Sequence, residues 1–377
     1  MLHGLRLLCL VAACATAVAT LAPRALPNPI ILGYTNWGEC NDSKVLAAAA
    51  SGVNTIVWFA VNLSPTLAPP TNLNLSCIAR TAAALREQGL PTTHLLGIGG
   101  WDAPHPVPSA NATPTDFYLA WKAWNEGVVA AAGLPGGFDG VDWDMEGNDD
   151  AASPWNTVSV AMLDLIGTFS ALAKADGYIV TLVPAESYFD VSQPLFDRSL
   201  LHAYPEWMPS FTYHGRNFYT YLWARYGPAF DAVTIQLYES YSHANYNITV
   251  LGTRPADYLQ AWVGALARGW EVGFSADPGL GFSSRAVAVQ PPQLIVGLAN
   301  GWAGGFHPKS LLIMPEEVGA AFAALEGGGG VGRPRGCAFW DIADEGAVPQ
   351  GQSQPLFLAA GLNAVLGTRA GGLKRQI

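Results

Sequence analysis

Four acidic residues recur at short intervals in one stretch of the chain, FDGVDWDME, which contains Asp139, Asp142, Asp144 and Glu146. Apolar and acidic residues alternate after Gly140, and turn-forming residues flank the stretch, which predicts a β-strand. Side chains alternate faces along a strand, so the last three acids share one face, about 6.6 Å apart along the backbone. Like charges this close cannot all ionise cheaply, and at least one acid should keep a proton near neutral pH. A protonated acid beside a carboxylate is what general acid catalysis requires.

Two other interpretations of the acidic strand are weaker. A solvated strand end would not need three inward acids on an otherwise apolar strand, because burying carboxyl groups is costly. The spacing of Asp142, Asp144 and Glu146 also imitates the start of an EF-hand calcium loop. The twelfth position of that loop, however, is Ser153, where a bidentate Glu is required. We therefore expect no metal at this strand.

Short apolar runs, most of them followed by a helical pattern, predict the architecture around the acidic strand. There are eight such runs, at residues 30–34, 54–61, 95–99, 138–146, 178–184, 233–238, 294–299 and 337–342. Helical patterns cover residues 78–88, 117–132, 158–175, 256–267, 316–325 and 356–366. Repeated strand-then-helix units predict an α/β fold, a (β/α)8 TIM barrel. We expect one catalytic domain over residues 28–368, with rim insertions at 189–217 and 274–292.

Aromatic and polar residues gather where the predicted strands end. Active sites of barrel enzymes lie at the C-terminal ends of the strands. Aromatic faces stack on the C–H faces of sugars while polar groups bond sugar hydroxyls, so this set favours a carbohydrate cleft. The candidate substrate-binding residues are Tyr34, Trp37, Gly100, Trp101, Gln236, Glu239 and Trp340, and Tyr238 is a candidate catalytic residue.

The spacing of the four acids, D-x-x-D-x-D-x-E, resembles the signature of the family 18 glycoside hydrolases, the chitinase family. The resemblance extends from residue 30 to about residue 366 and implies a barrel enzyme without a cofactor. Two positions depart from the family pattern: Gly97 replaces the Ser of S-x-G-G, and Glu239 replaces the Asp or Asn after the strand-six Tyr. The missing Ser hydroxyl leaves open how Asp142 is hydrogen-bonded, and a water is one candidate.

The resemblance also implies a role for each matching residue. Glu146 would be the general acid and later the general base. Asp144 would orient the substrate acetamido group and share a proton with its neighbours, and Asp142 would tune Asp144. Tyr238 would bond the acetamido oxygen, and Trp340 would stack under the distorted sugar.

The function predicted from this resemblance is a secreted, retaining glycosidase that hydrolyses β-1,4-linked N-acetylglucosamine, as in chitin, by substrate-assisted catalysis. Asp139 and Gly140 would belong to the structural part of the motif, Asp139 by holding the turn. The alternatives are an endo-β-N-acetylglucosaminidase acting on N-glycans and a non-catalytic, lectin-like barrel that binds chitin. An ordinary two-carboxylate glycosidase would need a partner acid on another strand, for which Glu186 and Asp341 are the candidates.

Composition restricts the classes of partner. The chain has 377 residues and a formal net charge of −10, which disfavours nucleic acid and anionic membranes and suits a neutral or cationic polymer. We expect the partner to be chitin or another oligosaccharide containing N-acetylglucosamine, and the protein to be a monomer. The sequence contains no G-x-S-x-G and no H-E-x-x-H, and its seven histidines show no metal-ligand spacing.

The ends of the chain and its cysteines favour export. Residues 1–19 have the charged start, apolar run and small-residue sites of a signal peptide, and residues 369–377 should form a flexible tail. Beyond the signal peptide we expect no membrane-spanning segment. Cys40 and Cys77 lie in loop-like sequence and could pair, whereas Cys337 should be a buried thiol. Triplets for N-glycosylation begin at Asn41, Asn62, Asn74, Asn111 and Asn247.

Overall fold

The computed structural model describes residues 24–108, 111–148, 150, 152–200, 217–239, 242–304, 310–327 and 330–367. The expected signal peptide (1–19) and tail (369–377), and most of the expected insertion 189–217, lie outside these residues. Within them, no helix is long and apolar enough to cross a membrane.

Strands and helices alternate along most of the chain. The strands are β1 (Ile30–Tyr34), β2 (Thr55–Val61), β3 (Thr93–Gly100), β4 (Gly140–Met145), β5 (Ile179–Leu182), β6 (Ala232–Gln236), β7 (Trp270–Gly273), β8 (Ser284–Val287), β9 (Leu294–Ala299) and β10 (Gly336–Trp340). The α-helices of the described residues are α1 (Asp42–Ser51), α2 (Leu75–Glu87), α3 (Pro114–Trp124), α4 (Val160–Ala175), α5 (Phe218–Tyr226), α6 (His243–Asn245), α7 (Pro255–Arg268), α8 (Pro315–Glu326) and α9 (Leu358–Leu366).

Eight parallel strands close into a barrel in the order β1-β10-β9-β6-β5-β4-β3-β2. The predicted (β/α)8 barrel is therefore confirmed, and each predicted apolar run overlaps one barrel strand. The remaining strands, β7 and β8, form a separate antiparallel pair. They lie partly in the expected insertion 274–292.

Several elements differ from the prediction. Helices α1, α5 and the short α6 were not predicted, nor was the pair β7 and β8, and the helix expected over residues 117–132 is divided. Its first part, α3, starts earlier because Thr113 and Asp116 form a capping box and Pro114 occupies the first helical turn. The chain then continues as a π-helical turn over Asn125–Val129.

The two faces of β4 enter different environments. Trp143 packs against Phe169 of α4 with ring centroids 5.1 Å apart, and its indole N–H donates to Ser170 at 3.0 Å. The acidic face points into the barrel, where Asp142 contacts Tyr34 of β1. The expected packing of the apolar face under a helix is confirmed, and it fixes which face of β4 carries its acids inward.

The suggested disulfide and the buried thiol are confirmed, but Cys77, expected in a loop, lies in a helix. Cys40, after β1, is joined to Cys77 in the first turn of α2 by a disulfide with a Cα–Cα distance of 6.0 Å. Cys337 is a buried thiol on β10. The disulfide thus fastens the loop that follows β1 to the outer layer of helices.

Candidate active site

The candidate site lies at the C-terminal end of β4, where Asp142, Asp144 and Glu146 follow one another along the inward face. All three side chains are buried. β4 ends at Met145, so Glu146 lies just beyond the strand. The pairing of β4 with β3 and β5 determines which residues can reach these acids.

Asp142, the innermost acid, accepts hydrogen bonds from two hydroxyl groups. Tyr34 Oη lies 2.8 Å from Oδ2 of Asp142, and Thr181 Oγ1 lies 2.5 Å from Oδ1. Burial raises the pKa of Asp142 to about 6, while the two hydroxyl bonds oppose that rise by favouring the charged form. The hydroxyl groups of Tyr34 on β1 and Thr181 on β5 therefore supply hydrogen bonds to Asp142, since β3 carries no Ser that could do so.

The absence of that Ser has a steric reason. A Cβ atom added at Gly97 would lie 2.5 Å from Cδ2 of Phe59, well inside van der Waals contact. Gly97 stands opposite Asp142 in the ladder between β3 and β4. The glycine therefore makes room for the Phe59 ring inside the barrel.

Asp144 and Glu146 form a coupled pair that a single amide bridges. Gln236 Nε2, at the end of β6, lies 3.2 Å from Oδ1 of Asp144 and 3.1 Å from Oε1 of Glu146. It also lies 2.8 Å from the carbonyl oxygen of Val183. The two hydrogens of this amide thus face three acceptor oxygens. Gln236 was expected to bind substrate, and in the structure it contacts Asp144 and Glu146 directly.

Electrostatic effects determine which carboxyl group of this pair, Asp144 or Glu146, holds the proton. Burial, then the charge of Glu146 and the hydrogen bond to it, raise the pKa of Asp144 well above its usual value. Burial also raises the pKa of Glu146, but hydrogen bonds from Asp144 and Gln236 oppose the rise. Asp144 is consequently the group that holds a proton most strongly, and it donates that proton toward Glu146.

The backbone of β4 is hydrogen-bonded by a side chain that the sequence analysis did not identify. The hydroxyl of Tyr219, on α5, accepts from the N–H of Met145 at 2.5 Å and donates to the carbonyl of Trp143 at 3.1 Å. No local pattern marks Tyr219, because its relation to β4 exists only once α5 packs on the barrel.

An aromatic cluster lies beside the acids. The ring of Trp340, at the end of β10, is 4.9 Å from Phe59, 6.0 Å from Tyr34 and 6.3 Å from Trp37. Trp340 is partly exposed and Trp37 is 45% exposed, so both offer ring surface to a ligand. A Cβ at Gly100 (φ +110°) would lie 2.2 Å from the Trp37 ring, which explains the glycine there.

The other residues expected to bind substrate lie around this centre to different degrees. Tyr238 and Glu239 come one residue after the end of β6 and are partly exposed. Burial, followed by the charges of Glu146 and Asp144, raises the pKa of Tyr238 well above its usual value. The charge of Glu239 likewise contributes to the raised pKa of Asp144. Trp101 follows β3 and is 53% exposed.

Asp139 and Gly140 lie at the opposite, N-terminal end of β4. Asp139 accepts from the N–H of His94 at 2.8 Å and pairs with Arg24 at 3.2 Å. A Cβ at Gly140 would lie 1.8 Å from the carbonyl oxygen of Ile179. Residues at this end of a barrel strand are expected to serve stability, since the chemistry of barrels lies at the other end.

The two alternative partner acids already accept hydrogen bonds from protein donors. Glu186 accepts from the Tyr258 hydroxyl at 2.5 Å and from the N–H of Ala244 at 2.9 Å. Asp341 accepts from Asn36 Nδ2 at 2.8 Å and from the N–H of Asp344 at 3.0 Å. Every carboxylate oxygen of both residues has a protein donor. Across the described ranges, no group of three or more His, Cys, Asp or Glu is arranged to hold a metal ion.

The fold and the acids define a class: a (β/α)8 barrel with a coupled carboxyl pair at the C-terminal end of a strand. No family model matches the chain, and no curated protein matches its sequence. Similar solved structures include a Group IV chitinase of Ostrinia furnacalis in complex with allosamidin (12% identity, 90% of this chain, 99% of that chain, TM-score 0.49). A GH18 chitinase of Flavobacterium johnsoniae (9% identity, 93% and 99%, TM-score 0.48) is another.

A third similar structure is the xylanase and alpha-amylase inhibitor protein of Scadoxus multiflorus (14% identity, 90% of this chain, 99% of that chain, TM-score 0.49). The similar structures thus include both chitinases and an inhibitor protein. Identities and TM-scores at this level assign no activity, so the proposal for this chain depends on its own residues.

Proposed function

We propose that the chain is a secreted, retaining glycoside hydrolase that cleaves β-1,4-linked N-acetylglucosamine, with chitin as its substrate. The observation that supports this most directly is the buried, proton-sharing pair of Asp144 and Glu146, with Asp142 beneath it. A raised pKa keeps a carboxylic acid protonated near neutral pH, where it can act as a general acid.

Before the first step, the proton of Asp144 moves to Asp142 and Glu146 takes up a proton from solvent. In the first step, Glu146 donates that proton to the glycosidic oxygen while the substrate's own acetamido oxygen attacks the anomeric carbon. The C–O bond to the leaving sugar breaks, and a cyclic oxazolinium intermediate forms. Asp144 accepts the acetamido N–H and stabilises the positive charge. Asp142, whose pKa is about 6, can take the proton that Asp144 gives up.

In the second step, ionised Glu146 removes a proton from a water that attacks the anomeric carbon. The ring of the intermediate opens, the acetamido group is restored, and the sugar keeps its β configuration. An intramolecular nucleophile supplies the proximity that an enzyme carboxylate provides in other retaining glycosidases. The full occupation of Glu186 and Asp341 by protein donors supports this route over a two-carboxylate one.

Export is part of the proposal. The apolar stretch at residues 1–19 has the pattern of a signal peptide, and disulfides such as Cys40–Cys77 persist in oxidising compartments. N-terminal sequencing of protein recovered from the medium would locate the cleavage site. An N-terminus that still contains residues 1–19 would contradict cleavage of this segment.

The test compares wild type, Glu146→Gln and Glu271→Gln on chitin oligomers and on a high-mannose glycopeptide. Glu271, exposed on β7, is the matched control for a Glu→Gln change. We expect Glu146→Gln to lose about 10²–10⁴-fold in hydrolysis while still binding oligomers, and the control to match wild type. NMR should show the β-anomer as the first product.

The other outcomes separate the alternatives. Release of glycan from the glycopeptide, without cleavage of chitin oligomers, would assign the endo-β-N-acetylglucosaminidase activity instead. Binding of oligomers by a wild type that yields no product would indicate a lectin-like barrel. A first-formed α-anomer would rule out the substrate-assisted mechanism.

A further inference from the structure

His105 lies on the loop that follows β3, outside the set of residues considered for catalysis or binding. Its side chain is buried, with 7% of its surface exposed. Its Nε2 atom lies 2.8 Å from the backbone carbonyl oxygen of Glu146. A carbonyl oxygen only accepts hydrogen bonds, so Nε2 must carry the hydrogen.

The hydrogen bond from His105 reaches a segment that lies outside the β-sheet. β4 ends at Met145, and the following backbone is fastened one residue at a time by neighbouring loops. Gly147 accepts from the N–H of Asp102 at 3.1 Å, and Asn148 donates to Asn156 Oδ1 at 2.7 Å. His105 contributes the corresponding bond at Glu146, the residue whose carboxyl group must be placed against the scissile bond.

The ring of His105 is itself held in place. Its centroid lies 5.8 Å from the ring of Trp155 on the loop after β4. Burial lowers the pKa of His105, while the backbone carbonyls of Glu146 and Thr157 oppose that effect. The neutral ring, with its hydrogen on Nε2, already satisfies the bond to Glu146.

We propose that His105 is a positioning residue: its Nε2–H bond to the Glu146 carbonyl fixes the backbone, and thereby the carboxyl group, of the general acid. This inference rests on the proposed function. A displacement of a catalytic group by about 1 Å can cost on the order of 10²-fold in rate. Because the bond acts on the acid and not on the sugar, its loss should lower kcat and leave KM unchanged.

The test compares Gln and Asn at position 105, because their side-chain amides extend to different distances from the backbone. The Nε2 of Gln occupies roughly the position of histidine Nε2, whereas the amide of Asn is one methylene shorter. We expect His105→Gln to keep kcat within about threefold, and His105→Asn and His105→Leu to lose about 10–100-fold at unchanged KM on chitin oligomers. His94→Leu is the matched control, because His94 is equally buried on β3 but bonds Trp58.

A double variant distinguishes positioning from a structural role. If His105 acts through Glu146, then adding His105→Leu to Glu146→Gln should not reduce the residual activity further. Additive losses in that cycle would overturn the inference. Equal kcat losses in the Gln and Asn variants, accompanied by equal falls in Tm, would overturn it as well.

The outcomes also separate this inference from the proposed function. A wild type that cleaves no oligomer overturns both. An active wild type whose kcat is unchanged in His105→Leu overturns the role of His105 alone. If His105→Leu does not fold, the comparison of His105→Gln with His105→Asn still decides, because both keep a polar side chain at the position.

Discussion

Replacing Tyr34 by Phe removes one hydroxyl from the acid at the base of the site and changes little else. Tyr34 Oη lies 2.8 Å from Oδ2 of Asp142, and both side chains are buried. A hydrogen bond to a charged group contributes about 1.5–3 kcal/mol, and one pKa unit corresponds to about 1.36 kcal/mol. The pKa of Asp142, about 6 in the intact protein, should therefore rise by about 1–2 units.

The sign follows from which form the hydroxyl favours. A donor stabilises ionised Asp142, so its loss shifts the equilibrium toward the protonated acid. If ionised Asp142 must accept the proton from Asp144, the acidic limb of kcat/KM should move up by about 1–2 pH units. Stability should respond too, with Tyr34→Phe costing about 1.5–3 kcal/mol at pH 8 and less at pH 4, where Asp142 is protonated.

The assay is the pH profile of kcat/KM on a chitin oligomer, together with urea unfolding at both pH values. Tyr178→Phe is the control, because the Tyr178 hydroxyl also donates to a carboxylate, Glu126, at 2.7 Å but on the outer layer. A folded Tyr34→Phe protein with an unmoved acidic limb would refute the placement of Asp142 in the proton-sharing set.

Three further predictions concern stability. The pKa of Glu186 is raised by burial from 4.5 to about 7, so folding stability is lost as the pH rises from about 4.5 to about 7 and stays reduced above that pH. In urea unfolding, the free energy of unfolding of wild type should fall by on the order of 3 kcal/mol relative to that of Glu186→Gln between pH 4 and 8. The same pH dependence in both proteins would contradict this. The double variant Cys40→Ser/Cys77→Ser should lose about 4 kcal/mol, because the disulfide spans a sequence separation of 37. A reductant should then lower the Tm of wild type but not of that variant. Gly97→Ser should cost about 1–3 kcal/mol through its clash with Phe59, and less in a Phe59→Ala background; an equal cost in both backgrounds would exclude that clash.

Much of the barrel could be predicted because buried parallel strands leave a simple trace in the sequence. The run at 294–299 matches β9 residue for residue, since a strand buried on both faces is apolar throughout. The pair β7 and β8 was missed because each strand has only four residues and mixes exposed polar with buried positions. Helix α5 follows the expected insertion, and its aromatic-rich sequence, FYTYLWARY, gives little helical periodicity.

Helix α1 was missed for a different reason. Its sequence is favourable for a helix, with Asn41 as the N-cap and a run of four alanines at residues 47–50. Alanines give a weak contrast between faces, so hydrophobic periodicity did not mark the helix. Intrinsic propensity would have identified it.

The sequence by itself determined the order of the acids and the face they share, because both follow from the period of a single strand. It also placed the aromatic residues at strand ends, since they directly follow apolar runs. These are local properties, and any chain that forms the strands must have them.

Only the tertiary structure decided what surrounds the acids. The hydroxyls of Tyr34 and Thr181, the amide of Gln236 and the ring of His105 come from four other segments of the chain. Each distance depends on how the barrel closes and on the register of its neighbouring strands, which no local pattern encodes. The proton-sharing state of the acids depends in turn on burial, and burial is a property of the assembled barrel.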